Sequence, residues 1–325
     1  MGERRSPRNF RPPITYKYTL RILCPPAHQP ARASSYLAPD PLSAKTLPIL
    51  HRPHRPDHFL SAHAMRQIFA LLLLAALPAA MAELPLRDGE AFTFKISWAI
   101  LPGAGEIKIS ATTDTSGPVP RLLVSTTTRT RGLARALLPF DAQADSFFDQ
   151  GSGRLIALTE SSEQRNKQAA HSVTFDYPAA QALYTRTHPT EQTCPLALPA
   201  GDPVDLITCL VQTRLWTLQP GQQQDALVLF DSDFYELTIH ATRYEEVRTP
   251  LGTFQTLVLE PRMEKTPPKG MFKNGSTVRV WISQDERRLP VKFEVEFKIG
   301  TGVATLARYD APPAAPTTDA KNPRP

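Results

Sequence analysis

The sequence predicts a mainly β protein, built as a large curled antiparallel sheet or open barrel packed on one principal helix. Apolar and polar residues alternate along about ten to twelve segments, the pattern of strands that have one wet face. One segment between them, residues 204–218, repeats its apolar residues with a helical period instead. A short apolar stretch within residues 65–82 has the features of an export signal.

The first 64 residues are basic and rich in proline. They hold 10 of the Lys and Arg residues, 3 of the Asp and Glu residues and 11 of the 33 prolines. Such a segment buries too little apolar surface to offset the entropy of ordering it, so we expect it to be disordered. We expect translation to start at Met65, with residues 1–64 a misassigned leader. The alternative is a real basic tail that binds nucleic acid or membrane.

Residues 65–82 contain the three parts of a secretory signal in the right order. Arg66 is the positive start, residues 68–77 are the apolar stretch, and Ala80-Met81-Ala82 is the small-residue cleavage site. We expect cleavage after Ala82, which leaves Glu83 at the new N-terminus, and delivery to the periplasm. A membrane-spanning helix needs about 20 apolar residues, and this stretch is too short.

The basic character of the chain belongs to its beginning. The whole chain carries a net charge of +6; subtracting +7 for residues 1–64 and +1 for Arg66 leaves −2 for residues 83–325. The exported part therefore gives no electrostatic support for nucleic-acid binding.

Residues 83–310 are predicted to form one β-rich domain. Its clearest strand is EAFTFKISWAI (90–100), where apolar residues occupy every second position from Phe92 to Ile100. A glycine-containing turn leads to a second alternating run at 107–111, which predicts a hairpin. Further strands are predicted at 121–130, 145–149, 154–160, 171–177, 182–187, 226–231, 234–247, 253–261, 277–285, 290–299 and 302–309. Residues 311–325 form a Pro/Ala tail that we expect to be disordered.

The predicted helix covers residues 204–218. Asp202 is suited to cap it and Pro203 to occupy its first position. Arg214 lies within the apolar stripe of this helix. Its stem is either buried at the edge of the stripe with the charge in water, or it points inward and pairs with a carboxylate. An inward guanidinium would be suited to anchor an anionic ligand group.

Two cysteines and one tryptophan complete the candidate residues. Export to an oxidising compartment predicts a disulfide between Cys194 and Cys209, worth about 3 kcal/mol; the alternative is two unpaired thiols. Trp281 falls on the face opposite to Val280, where we expect it to line a groove or to be half exposed, although core packing is the commoner role.

No catalytic or metal-binding pattern is present in the sequence of the exported part. His171, His188 and His240 lack the spacing of metal ligands, and no GxSxG motif or phosphate-binding glycine loop occurs. We therefore expect neither a metal nor a cofactor, and we expect that the protein is not an enzyme.

Four ordered segments resemble one known family. They are GEAFTFKISWAILPGAGEIKI, DLITCLVQTRLWTLQPGQ, RYEEVRTPLGTFQTLVLEP and VWISQDERRLPVKFEVEFKIG. Together they are similar to the bacterial exported proteins catalogued as domain of unknown function 3108, over roughly residues 88–309. The resemblance implies an exported β-rich domain and no particular activity.

The predicted function is binding. A curled antiparallel sheet can enclose an apolar hollow, so we expect a periplasmic protein that binds a hydrophobic or lipid-like envelope component, with Arg214 and Trp281 as candidate ligand residues. The alternative is a structural or assembly protein of the envelope that meets a protein partner through its sheet edges or the loop 264–276.

Overall fold

The computed structural model describes residues 84–99, 101–268, 272, 276–297 and 300–313. The predicted leader, the signal segment with its cleavage site between Ala82 and Glu83, and residues 314–325 of the tail lie outside the described residues. So do residues 269–271 and 273–275 of the loop 264–276.

The described chain folds as one sheet of 15 strands. The first eight are β1 (Ala91–Trp98), β2 (Leu101–Asp114), β3 (Arg121–Thr130), β4 (Phe140–Asp149), β5 (Leu155–Gln164), β6 (Lys167–Asp176), β7 (Gln181–His188) and β8 (Gln192–Ala197). The others are β9 (Val204–Asp205), β10 (Gln223–Phe230), β11 (Asp233–Thr249), β12 (Gly252–Arg262), β13 (Thr277–Ser283), β14 (Pro290–Phe297) and β15 (Gly300–Asp310). The mainly β prediction is confirmed.

The strand order follows the chain along two arms that meet at β1. It runs β8-β7-β6-β5-β4-β3-β2-β1 and continues β15-β14-β13-β12-β11-β10-β9. Neighbouring strands pair antiparallel, except that β9 and β10 are parallel. Strands β8 and β9 form the two edges, so the sheet is open and is not closed into a barrel.

One face of the sheet is enclosed, and we call it the inner face. It carries Phe94, Val124, Ser146 and Tyr184, each nearly inaccessible to solvent. Successive side chains of a strand point to opposite faces, so every second residue of each strand lies on the inner face. Hydrophobic burial on this face is the main source of stability for such a sheet.

The sheet curls until its two arms touch. The hydroxyl of Tyr184 in β7 donates to Asp231, which lies between β10 and β11, at 2.6 Å. The ring of Phe175 in β6 lies 6.5 Å from that of Phe234 in β11. These contacts join strands from opposite ends of the strand order, so the predicted curl is supported.

The prediction of one principal helix is wrong. The described residues contain two short helices, α1 (Gly132–Leu137) and α2 (Leu206–Gln212), and the 3₁₀ turn Thr213–Leu215 follows α2. Asp205, and not Asp202, caps α2, because its side chain accepts the backbone N–H of Thr208 at 2.9 Å. Val204 and Asp205 are held extended as β9, and Trp216 is again extended, so about half of the predicted helix remains.

The outer face of the sheet is charged. Arg279, for example, lies within ion-pair distance of Glu294, Glu260 and Glu296 on neighbouring strands. Cross-strand pairs of opposite charge suit a face that meets water. Within the described residues, no helix is both long enough and apolar enough to cross a membrane.

Candidate functional site

Arg214 points inward and pairs with a buried carboxylate. Its Nη1 donates to Oε1 of Glu90 at 2.8 Å, and the two side chains are 8% and 0% exposed. The second of the two predicted alternatives for Arg214 is therefore the one that the structure adopts. An isolated buried charge is very costly, so each group stabilises the other in this position.

Further contacts complete the surroundings of this pair. Tyr309 donates its hydroxyl to the same oxygen of Glu90 at 2.9 Å, and burial, with this carboxylate beside it, raises the pKa of Tyr309 to about 12. The Arg214 guanidinium carbon lies 5.5 Å from the centre of the Phe92 ring. Arg288 donates to the backbone oxygens of Arg214 and Trp216, which anchors the end of the 3₁₀ turn. The Arg214–Glu90 ion pair therefore connects the segment that contains α2 to the start of β1.

The carboxylate partner of Arg214 was not predicted, although the sequence carries a signal for it. Glu90 has the same parity as Phe92 and Phe94, so the alternation places it on the apolar face. A carboxylate at such a position needs a cation or a set of donors. Arg214, a charged residue within the apolar stripe of the predicted helix, is the cation that matches this carboxylate.

Trp281 is not accessible. It is 2% exposed and lies on the outer face, and the Lys292 ammonium sits 3.9 Å from the centre of its ring. The expectation of a half-exposed or groove-lining indole is wrong, because the indole is buried with Lys292 of the neighbouring strand against its ring. Its indole N–H is buried and makes no hydrogen bond to a described residue.

The predicted disulfide is absent. Cys194 and Cys209 are both buried, and both are thiols. Cys194 lies on the inner face of the edge strand β8, beside Tyr184, whereas Cys209 lies on the buried side of α2. Burial raises the pKa of the Cys209 thiol to about 12, which makes it a poor nucleophile. The prediction came from the compartment alone, without a distance between the two cysteines.

A polar cluster occupies the inner face of the first arm. Glu160 in β5 and His171 in β6 are direct cross-strand neighbours, and their Oε2 and Nε2 atoms are 3.3 Å apart. The geometry of this contact is not that of a hydrogen bond, and Nε2 is buried without a hydrogen-bond partner among the described residues. This pair was not predicted, although His171 shares the parity of Val173.

Carboxylates from the second arm come close to this pair. Asp205 is 4% exposed and accepts a hydrogen bond from the Ser146 hydroxyl at 2.7 Å, while Asp231 accepts from Tyr184. The ring of His171 lies 5.2 Å from that of Tyr184. Curling of the sheet therefore brings residues from β4 to β7 together with the residues that flank α2 and β10. We call Glu160, His171, Tyr184, Asp205 and Asp231 the inner polar cluster.

The inner polar cluster shifts the titration of its members. Burial, followed by repulsion from Asp205 and Asp231, raises the pKa of Glu160 to about 7. Burial lowers the pKa of His171, which keeps the imidazole neutral. Near neutral pH, Glu160 can therefore donate a hydrogen bond as an acid or accept one as a carboxylate.

Small side chains line one end of the inner face. Phe94, Ile107, Thr128, Ala142 and Ser162 are successive cross-strand neighbours from β1 to β5, so the row passes from large residues to small ones. Thr128, Ala142 and Ser162 face inward and yet are only partly buried. We call the part of the inner face at this end of the strands the small-residue end. Small inward side chains leave space there that the core fills elsewhere.

Two glycines extend the small-residue end across β1. Ile96 and Trp98 of β1 lie over Gly105 of β2 and Gly302 of β15. A Cβ added at Gly105 would come within 2.7 Å of the Arg129 carbonyl, and one at Gly302 within 3.2 Å of the Trp98 ring. Glycine is needed at Gly105 for close approach of the backbone, and at Gly302 the missing side chain gives room to the indole.

Apolar side chains adjoin the small residues and stay accessible. Phe293 of β14 contacts Phe94, with ring centres 4.9 Å apart, and Val295 lies opposite Gly302. The inward-facing apolar residues at this end are all only partly buried: Ile96, Trp98, Ile107, Phe293 and Val295. We call these five the apolar group. An accessible apolar lining next to a few polar groups is the usual composition of a ligand site.

The remaining histidines take no part in this region. His188 is exposed at the end of β7, and His240 lies 3.0 Å from Glu264 on the protein surface. Among the described residues, no group of three or more His, Cys, Asp or Glu side chains is arranged to hold a metal ion.

Comparisons with known proteins identify a family. Residues 93–307 match the model of the family described as "Protein of unknown function (DUF3108)". No curated protein matches the chain.

Solved structures with similarity to the chain are distant in sequence. A β-barrel-like protein of domain of unknown function DUF1849 from Brucella abortus is 9% identical, with 69% of this chain and 98% of that chain covered and a TM-score of 0.46. A candidate exported protein with a YmcC-like fold from Bacteroides fragilis is 12% identical, with coverages of 71% and 100% and a TM-score of 0.31. A candidate lipoprotein from Parabacteroides distasonis is 11% identical, with coverages of 70% and 97% and a TM-score of 0.29. No function follows from likenesses at these TM-scores.

Proposed function

The chain belongs to the DUF3108 family, and we propose that it is an exported, non-catalytic protein that binds one lipid-like molecule on its inner face. The observation that carries the proposal is the apolar group at the small-residue end. These five side chains face inward, where core residues are normally buried, and still meet solvent. An apolar ligand that covers these side chains would bury apolar surface that the folded protein leaves exposed, and this burial favours binding.

The inner polar cluster is suited to orient such a ligand. Thr126, Ala144 and Glu160 are successive cross-strand neighbours on the inner face. Their row lies directly beside the row of Thr128, Ala142 and Ser162, on the side away from the ends of the strands. Nε2 of His171, which makes no hydrogen bond to a described residue, lies 3.3 Å from Glu160 and offers a hydrogen bond to a ligand there. Lipid-like molecules carry a polar end, and a few placed polar groups in an apolar site fix orientation.

Arg214 and Trp281 take other roles in this proposal. The Arg214 charge is already balanced by Glu90 in a buried pair, so we assign it to holding the fold. Trp281 lies on the outer face, away from the small-residue end.

Mass spectrometry of retained lipid tests this function directly. The protein would be purified from cells without detergent, extracted with organic solvent and analysed for bound molecules. We expect a lipid-like species in a ratio near one per chain. The absence of any such species, together with no binding of an added fluorescent fatty acid, would contradict the proposal.

One observation favours a second candidate function, that of an assembly protein with a protein partner. Among the described strands, β10 pairs with β9 only at Val228 and Leu229, so residues 223–227 have a strand on one side only. An extended segment of a partner can add to such an edge. Crosslinking in cells to one dominant partner through a photoreactive residue at Gln224 would support this alternative.

A further inference from the structure

The helix α1 presents leucines to solvent. None of its residues is buried, and Leu133 and Leu137 are 61% and 60% exposed, next to Leu138 at 44%. Single exposed leucines are ordinary, but three within six consecutive residues form an exposed apolar patch.

Polar contacts hold α1 in place beneath these leucines. Both terminal nitrogens of Arg135 donate to Asp141, at 3.2 and 2.8 Å. Arg165, in the β5–β6 turn, donates to the backbone oxygen of Leu137 at 2.8 Å. The helix is therefore fixed from its polar side, which leaves the leucines free to meet another surface.

Cations outnumber carboxylates around α1. Those connected by contacts or by electrostatic interaction are six cations, Lys95, Lys108, Arg129, Arg131, Arg135 and Arg165, and three carboxylates, Glu106, Asp141 and Glu163. Glu106 alone is shared by three of these cations, which lower its pKa. The cation side chains Lys95 and Lys108 are each 59% exposed. We call this set the basic surround of α1.

We propose that α1 is a membrane-contact element that docks the protein on an anionic lipid surface. Its leucines would enter the boundary between head groups and acyl chains, while the basic surround would meet lipid phosphates. The charge excess and the apolar patch lie together, which is the combination that interfacial binding requires. A protein partner would match the leucines equally well, but it would not by itself account for the cationic excess.

The position of α1 relates the membrane contact to the proposed ligand site. The helix connects β3 with β4. Strand β3 ends two residues after the inward-facing Thr128, and β4 begins two residues before the inward-facing Ala142. It therefore stands at the rim of the small-residue end. Docking there would bring the small-residue end to the lipid surface, although the docking itself does not depend on whether a ligand binds there.

Vesicle sedimentation tests the proposal with the chain as the cell processes it. Vesicles of phosphatidylcholine with about a third phosphatidylglycerol would be compared with pure phosphatidylcholine at 0.1 M salt. We expect binding to the anionic vesicles, weaker binding to the neutral ones, and a marked loss at about 0.5 M salt because the charges are then screened.

Paired variants assign the contact to α1. The double variant Leu133→Ser/Leu137→Ser is expected to partition onto anionic vesicles about tenfold less than the wild type. The matched control is Val119→Ser/Leu183→Ser, which removes two apolar side chains of 59% and 47% exposure elsewhere. Circular dichroism should show both variants folded, since all four residues are exposed.

Three outcomes would overturn the proposal: no binding of the wild type to anionic vesicles, an α1 variant that binds like the wild type, or an equal loss in the control. Absence of vesicle binding would assign the patch to a protein partner instead. Retained lipid is measured separately by mass spectrometry, so failure of docking and failure of ligand binding are distinguishable.

Discussion

Arg214 and Glu90 form a buried ion pair, 2.8 Å from nitrogen to oxygen, that joins two segments 124 residues apart in the chain. The pair connects the end of the α2 segment to the residue before β1. Because both groups are nearly inaccessible, removal of one of them leaves the charge of the other buried, with neither water nor a partner around it.

Arg214→Met is therefore expected to lower the free energy of unfolding by about 3–5 kcal/mol. The control is Arg262→Met, which breaks a half-exposed contact with Glu260 and should cost at most about 1 kcal/mol. Urea denaturation followed by tryptophan fluorescence measures both. Equal losses in the two variants would show that Arg214 has no special structural role.

Asp205→Ala is expected to destabilise the protein by at least about 2 kcal/mol. The change removes the cap of α2 and leaves the Ser146 hydroxyl without its acceptor. Asp202→Ala, at the residue that the sequence predicted as the cap, removes only an exposed contact with Arg154 and should change stability by less than about 1 kcal/mol. The same denaturation measurement decides, and a larger effect at Asp202 would restore the helix start predicted from the sequence.

Glu160→Gln is expected to change the dependence of stability on pH. The pKa of Glu160 rises from 4.5 to about 7 on folding, so between these values the folded state holds more protons than the unfolded state, and wild-type stability falls as pH rises. Glutamine cannot ionise, so the variant should match the wild type near pH 4 and melt at a higher temperature at pH 8.

His171 acts in the opposite direction, and its titration responds to Glu160 because its Nε2 lies 3.3 Å from Oε2 of that residue. Burial lowers the pKa of His171 from 6.5, so its contribution to stability is lost as pH falls below that value. The difference between the two melting curves therefore reports Glu160 together with its effect on His171. Glu163→Gln, on the opposite face of β5, is the matched control, and an identical profile for both variants would refute the assignment.

Cys194 and Cys209 are expected to be reduced. Alkylation in guanidinium without a reducing agent, followed by peptide mapping, should label Cys194 and Cys209. Under native conditions Cys209 should react slowly, since it is buried and its pKa is raised to about 12. A peptide pair linked by a disulfide would instead confirm the prediction made from the sequence.

Ala142→Phe is expected to reduce the amount of retained lipid. The residue faces inward between Thr128 and Ser162, so a large ring would fill the small-residue end. Gln143→Phe, whose side chain lies on the outer face of the same strand, is the matched control and should retain lipid like the wild type. If the two variants retain equal amounts, the ligand does not occupy this end of the inner face.

Most of the strands were predictable from the sequence. From Phe92 to Trp98 the residues alternate between apolar and polar, and this reports directly which side chain faces inward. The two-residue strand β9 and the true start of α2 were not predictable in this way. A pattern in sequence cannot show that Val204 and Asp205 are held extended by pairing with β10.

The sequence by itself determined the class of the fold, because alternation is a local property that each strand carries within its own residues. It also showed an odd residue at Arg214. Only the tertiary structure decided which carboxylate neutralises Arg214, that Lys292 covers Trp281, and that Glu160 and His171 meet Asp205 and Asp231. The contacts of Arg214 and of the inner polar cluster join residues far apart in the chain, which no local period encodes, whereas Trp281 and Lys292 are neighbours in the pairing of β13 with β14.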